Sequence, residues 1–149
     1  MPNLLVSYAH PNPAGKDRSS SGATNSQLNG EWVEFRNNIN QPVSMNGVSL
    51  VHQTYNQSCQ RTGSDVLTPF SGTLGVGQSI RVHTGTGQGY QDGTVTHLFL
   101  NRGNYVWNNR CGDSVILQAG STIIDWAAYG GSPPEGRILT RDVGQNWLS

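Results

Sequence analysis

Along residues 31–36, Glu-Trp-Val-Glu-Phe-Arg, apolar and polar positions alternate with a period of two. That is the spacing of a strand, whose successive side chains point to opposite faces. Val33 and Phe35 share one face, read as core, while Trp32, Glu34 and Arg36 share the other. Ser79-Ile80-Arg81-Val82-His83 alternates as strictly, with Ile80 and Val82 inward and Arg81 and His83 outward. Further strands are expected over residues 4–9, 48–53, 66–70, 95–100, 113–118 and 121–129. Asn29-Gly30, Asn46-Gly47, Gly75 with Gly77, and Asp92-Gly93 supply turns between them. No helical period separates the strands. Some eight short strands divided by Gly, Asn and Pro turns predict an all-β sandwich or barrel. Its core is expected to hold Val33, Phe35, Ile80, Val82, Val115, Leu117 and Ile124.

Several stretches lie outside the alternation. Residues 11–29 are rich in Pro, Gly, Ser and Asn and read as a long loop; residues 54–65 are polar and hold Cys59; residues 84–92 are Gly-rich. After residue 130 Gly and Pro break the pattern, so residues 131–149 are expected to form a docked tail or an edge strand. The length, 149 residues, suits one domain over 1–149 with its core at about 3–130.

Charge narrows the partners. Charged residues are 12% of the chain, about half the roughly 25% usual for soluble domains. Nine basic residues balance nine acidic ones. Non-specific nucleic-acid binding needs a positive surplus to release counterions from phosphates, so weak or no nucleic-acid binding is expected. All basic residues but Lys16 are Arg, which leaves a local Arg patch or scattered surface Arg as alternatives. A surface solvated by amides and hydroxyls favours an extracellular or particle-surface setting over the cytoplasm. No stretch approaches the ~18 apolar residues of a membrane span. Met1-Pro2-Asn3 lacks the basic and apolar regions of a signal peptide, so either that export route is unused or a leader has been removed. Cys59 and Cys111 allow at most one bridge. Two loop cysteines are explained by mutual pairing in an oxidising compartment, or as reduced thiols in a cytosolic protein.

Catalytic patterns are sparse. No Gly-x-Ser-x-Gly elbow exists. His10, His52, His83 and His97 fall on different elements, which argues against a zinc site; His83 and His97 read as an exposed cross-strand pair. Lys16 sits outside a phosphate-loop pattern, and Gly85-Thr86-Gly87-Gln88-Gly89 reads as an inter-strand turn. Asp17, Glu31 and Glu34 are weighed as calcium ligands; the alternative is that Asp17 caps its loop while Glu34 pairs with an Arg on a neighbouring strand. No cofactor and no metal is expected. Asn56-Gln57-Ser58 is a glycosylation sequon only in a eukaryotic secretory host. Trp107 and Trp126 are read as core or rim packing. Trp32 has two readings, a place on a binding surface or cover by a loop. With Glu34, Arg36, Arg81 and His83 it forms the candidate surface for a protein or glycan partner, since Trp and Arg dominate binding hot spots.

A series of segments in order carries a family likeness. They are Pro13-Ala14-Gly15-Lys16-Asp17, then Leu28-Asn29-Gly30-Glu31-Trp32-Val33-Glu34-Phe35-Arg36-Asn37, then Pro42-Val43 with Gly47-Val48-Ser49-Leu50. Leu74-Gly75-Val76-Gly77, Ser79-Ile80-Arg81-Val82-His83-Thr84-Gly85 and Tyr105-Val106-Trp107-Asn108-Asn109 follow. Gly112-Asp113-Ser114-Val115-Ile116-Leu117 and Ile124-Asp125 complete the series. The chain resembles the lamin-tail domain, especially its bacterial form, over roughly residues 3–130. The resemblance implies an immunoglobulin-like β-sandwich of about eight to nine strands, no known catalytic centre, and use as an interaction module. Relatives form the globular tails of nuclear lamins in animals, and in bacteria stand alone or joined to exported nucleases. Two departures stand out: there is no coiled-coil rod here, and Arg110-Cys111 is inserted before the Gly-Asp pair.

The expected function is a non-catalytic interaction or structural module on a cell surface, virion or other assembly. A nucleic-acid-binding accessory domain and an unrecognised hydrolase are the alternatives.

Overall fold

The structure, a computed structural model, describes residues 2–14 and 23–149. In chain order these form β1 (Leu4–His10), α1 (Asn25–Gly30), β2 (Trp32–Asn37), β3 (Val43–Ser44), β4 (Val48–Tyr55) and β5 (Arg61–Pro69). Then come β6 (Thr73–Leu74), β7 (Ser79–His83), β8 (Tyr90–Asp92), β9 (Val95–Phe99), β10 (Gly112–Ala119), β11 (Thr122–Gly130) and β12 (Leu139–Thr140). The described residues thus hold twelve strands where eight to nine were expected. β3, β6, β8 and β12 are two or three residues long, too short to leave an alternation in the sequence.

The strands build an immunoglobulin-like β-sandwich. A six-stranded sheet runs β12-β1-β2-β7-β9-β8, a four-stranded sheet runs β11-β10-β4-β5, and β3 pairs with β6. β7 and β9 are parallel neighbours, with β8 folded back on β9 through Asp92-Gly93. Val6, Val33, Phe35 and Val82 of the first sheet meet Val115, Leu117, Ala127 and Leu50 of the second, each at most 1% exposed. Phe35 and Phe70 pack edge to face with centroids 5.2 Å apart. Ile80 is buried too. Ile124 departs from the expected core and is only half-buried. The β10–β11 register shifts there, pairing Leu117 with Asp125 but Gln118 with Ile123, so Ile124 is the extra residue of a bulge.

Three stretches expected as loop hold regular structure, one of them residues 84–92, whose end is β8. Thr24 accepts from Gln27 N and the Gln27 side chain accepts from Thr24 N, a capping box that starts α1. Residues 61–65, polar throughout, begin β5 by pairing with the equally polar end of β4, Tyr55 against Arg61 and Gln53 against Ser64. Beyond residue 131, β12 pairs with β1 along its edge, and Leu148 is seated in the core at 1% exposure. Arg141 holds this tail by donating to Val6 O at 2.9 Å and to Asp125 Oδ2 at 3.1 Å.

Cys59 and Cys111 are joined by a disulfide, with Cα atoms 5.3 Å apart. It ties the β4–β5 turn to the segment before β10. Arg110 runs alongside and donates to the carbonyls of Gln57 and Asn56. At Gly112, directly after Cys111, φ is +78° and a Cβ would lie 2.2 Å from Tyr129 O, so no other residue fits there.

Candidate functional site

The outward side chains of the six-stranded sheet line up across its strands. Pairing sets Trp32 beside His83 and His83 beside Phe99. One row along, Glu34 lies beside Arg81, Arg81 beside His97, and His97 beside Tyr90. Because strand side chains alternate, all of these project from the face opposite the core. Their rings stack: Tyr90 on His97 at 4.4 Å, His83 on His97 at 5.1 Å and His83 on Phe99 at 4.9 Å. The result is one tier of aromatic and imidazole rings over β7, β9 and β8.

Two of the expected surface residues do not reach the surface. Trp32 is 6% exposed and Glu34 5%. The reason lies in their strand, because β2 is flanked by β1 and β7 and the neighbours' side chains close over it. The Arg81 guanidinium lies 3.8 Å from the Trp32 ring centroid, and His10 packs on Trp32 at 5.6 Å. Arg81 Nε also donates to Glu34 Oε1 at 2.8 Å. Trp32 and Glu34 are therefore support beneath Arg81, not contacts for a partner. Arg36 is exposed, and Arg81 and His83 are half-buried.

Hydrogen bonds fix the protonation pattern of the ring tier. His83 Nδ1 lies 2.8 Å from the Asn29 carbonyl, which can only accept, so Nδ1 carries the proton. In the neutral ring its Nε2 then accepts from His97 Nδ1 at 2.8 Å, leaving His97 Nε2 as an acceptor. Burial, His97 and Arg81 push the His83 pKa down, against the opposing pull of the Asn29 carbonyl. Burial and Arg81 push His97 down, against Asp92 and Glu34. Both rings are thereby kept neutral at physiological pH.

Helix α1 rests on the end of this tier. His83 Nδ1 donates to Asn29 O, and His10 Nδ1 to Gly30 O at 2.5 Å. Asn25 and Asn29 donate to Thr86 O at 2.9 and 3.0 Å. Past Thr86 the chain runs so close to Phe99 that a Cβ at Gly87 would lie 2.8 Å from its ring, which explains the glycine.

The other candidates separate in space. Glu31 is fully buried and accepts from Thr84 Oγ1 and Val106 N, both at 2.8 Å. Glu34 lies on the opposite face of β2, and Asp17 lies outside the described residues, as does Lys16. The calcium set is not brought together among the described residues. His52 Nδ1 and Asp113 Oδ2 lie 2.9 Å apart, a His–Asp pair of the kind found in hydrolases. His52 Nε2, however, faces Asp65 Oδ2 at 3.9 Å, a carboxylate where a nucleophilic hydroxyl or thiol would be needed. Asp113 also accepts from Asn108 N and Ser114 N, at 3.1 and 2.8 Å, so it anchors the loop before β10. On the outer face of the four-stranded sheet, Val66, Val51, Ile116 and Trp126 form an apolar row, with Val66 and Trp126 exposed at its ends. Trp107 is buried.

Sequence reasoning placed His83 and His97 together, as they are, but as an exposed pair, whereas His97 is buried and His83 half-buried beneath their ring neighbours. It missed Tyr90 and Phe99 as parts of the surface. The alternation Val95, His97, Phe99 was there to be read, but Tyr90 stood inside a Gly-rich stretch that hid its strand.

The model of one protein family, the Lamin Tail Domain, matches residues 2–131. No curated protein matches the chain.

Proposed function

We propose that this chain, which belongs to the lamin tail domain family, is a non-catalytic module that holds a protein partner against the outer face of its six-stranded sheet. The stacked tier of Tyr90, His97, His83 and Phe99 carries this reading. Its rings are already ordered by one another, so a partner would meet a rigid aromatic surface and little side-chain entropy would be lost on binding. Tyr90 is half exposed, and the exposed Arg36 stands on the same face with donors suited to carboxylate or carbonyl groups. The immunoglobulin-like sandwich is the architecture of many cell-surface and recognition domains.

A setting outside the reducing cytosol fits best, because a disulfide between two surface loops persists where thiols are kept oxidised. A cell surface or a virion is such a setting.

The test is quantitative pull-down from the native source with the whole chain and three variants. Tyr90→Ser and Arg36→Ser should each deplete the bound protein, while Trp126→Ser, on the other sheet, should not. Loss with Trp126→Ser alone would move the contact to the four-stranded sheet and overturn the reading.

A further inference from the structure

At the open edge of the sandwich, between the β8–β9 hairpin and the end of β5, lies a cleft of about 580 Å³. That is within the range of small-ligand sites. Phe70, Leu74, Ile80 and Leu98 form an apolar floor. The rim on one side carries the hydroxyls of Thr68, Ser71 and Thr73, and on the other the amides of Gln88, Gln91 and Asn101. None of the described residues lining it carries an ionisable side chain. This neutrality is local, because Arg81 and His97 stand next to the lining residues Ile80, Thr96 and Leu98 but project from the opposite face of the same strands.

We propose that this cleft binds a neutral saccharide. A pyranose ring presents an apolar C–H face edged by hydroxyls, and each hydroxyl both donates and accepts. The floor suits the first, and amides and hydroxyls, which also do both, suit the second. An ionised ligand would give up its hydration here with no opposite charge in return. A peptide strand is a poorer occupant, since β8 offers an edge of only three residues for a backbone ladder and β5 reaches the cleft only with Thr68 and Pro69, the latter without an N–H. The amides are held in place from within. Gln91 Nε2 donates to Gly93 O at 3.2 Å, and Asn101 Oδ1 accepts from Gly87 N at 3.3 Å. Each of these two amides has a second polar atom that those bonds do not use, directed by a fixed side chain.

The test is titration of the whole ¹⁵N-labelled chain with cellohexaose, xylohexaose, mannohexaose, maltohexaose and chitohexaose, with hexagalacturonate as the acidic control. At least one neutral hexasaccharide should shift the side-chain amide signals of Gln88, Gln91 and Asn101 saturably and independently of salt. The double substitution Gln88→Ala and Gln91→Ala should weaken that binding about tenfold or more, the loss of one or two hydrogen bonds, while its backbone spectrum stays native. Arg36→Ser, which alters the ring face but not the cleft, should leave it unchanged and so separates this site from the protein contact. No response to any neutral hexasaccharide at millimolar concentration would overturn the proposal. So would a response to hexagalacturonate alone, or binding that Arg36→Ser removes and the amide substitutions do not.

Discussion

Arg81 lies over the indole of Trp32, its guanidinium carbon 3.8 Å from the ring centroid, and it donates from Nε to Glu34 at 2.8 Å. One side chain on β7 thereby covers an aromatic ring and neutralises a buried carboxylate on β2. Removing it would leave Glu34 buried without a counter-charge, which is more damaging than the loss of an exposed pair. Arg81→Met should therefore destabilise by about 1–3 kcal/mol, discounted from a fully buried pair because the Arg81 side chain is 29% exposed. Urea denaturation measures it. Adding Glu34→Gln should recover part of the loss, and a double variant no better than the single would show that the ion pair is not the cause.

Stability should fall with acid through the two stacked histidines. Both have folded pKa values below the ordinary 6.5, set mainly by burial. The unfolded chain then takes up protons first as pH drops past about 6.5, so the stabilisation is complete above that value and is lost below it. Protonating both rings would also set two N–H groups against each other across the His83–His97 bond. Melting temperature followed from about pH 7.5 to about pH 5 should decline, and His97→Phe, which keeps a ring against Tyr90, should flatten the decline. An unchanged slope in that variant would place the acid sensitivity elsewhere.

The disulfide closes a 52-residue separation. In the chain-entropy account this restricts the unfolded chain by about 4 kcal/mol, less any strain in the native state. Cys59→Ser with Cys111→Ser should keep the fold and lower the unfolding free energy by about 2–4 kcal/mol. Loss of less than about 1 kcal/mol would mean that Arg110 and its carbonyl contacts already hold the two loops together.

Nine basic against nine acidic residues give no net charge, and three of the described Arg residues are already engaged within the fold. Arg81 and Arg141 are committed to carboxylates, and Arg110 to backbone carbonyls. DNA affinity at physiological salt should sit at or above the non-specific range of ~10⁻⁴–10⁻⁶ M. Fluorescence anisotropy with a labelled duplex tests this, and a nanomolar dissociation constant would contradict the charge argument.

How much of this was legible in the sequence depends on range. Alternation is local, and it placed Val33, Phe35, Ile80 and Val82 on the buried face. It also turned Trp32 and Glu34 away from the core, correctly. It offered Glu34 an Arg partner on a neighbouring strand, as is found, but could not reveal that this is Arg81, 47 positions further on (81 − 34), or that the same side chain covers Trp32, because that depends on strand pairing. Tyr90 was hidden for the same reason, since a three-residue strand has no period of its own and is held by pairing with β9. α1 left a different trace. Its six residues are too few for a helical repeat, yet Thr24 and Gln27 stand at capping-box spacing, so the start was written where the body was not. Ile124 failed through a single inserted residue, a bulge that alternation cannot anticipate.

The most direct measurement is a photo-cross-linking map of the whole chain in its native surroundings. A benzophenone amino acid placed singly at Tyr90, Arg36 and Trp126 samples the ring-bearing face twice and the opposite sheet once. Tyr90 and Arg36 should yield adducts with the same discrete protein, and Trp126 should yield none. Adducts from Trp126 with silence at Tyr90 and Arg36, or no adduct from any of the three, would contradict a protein-binding role for the outer face of the six-stranded sheet.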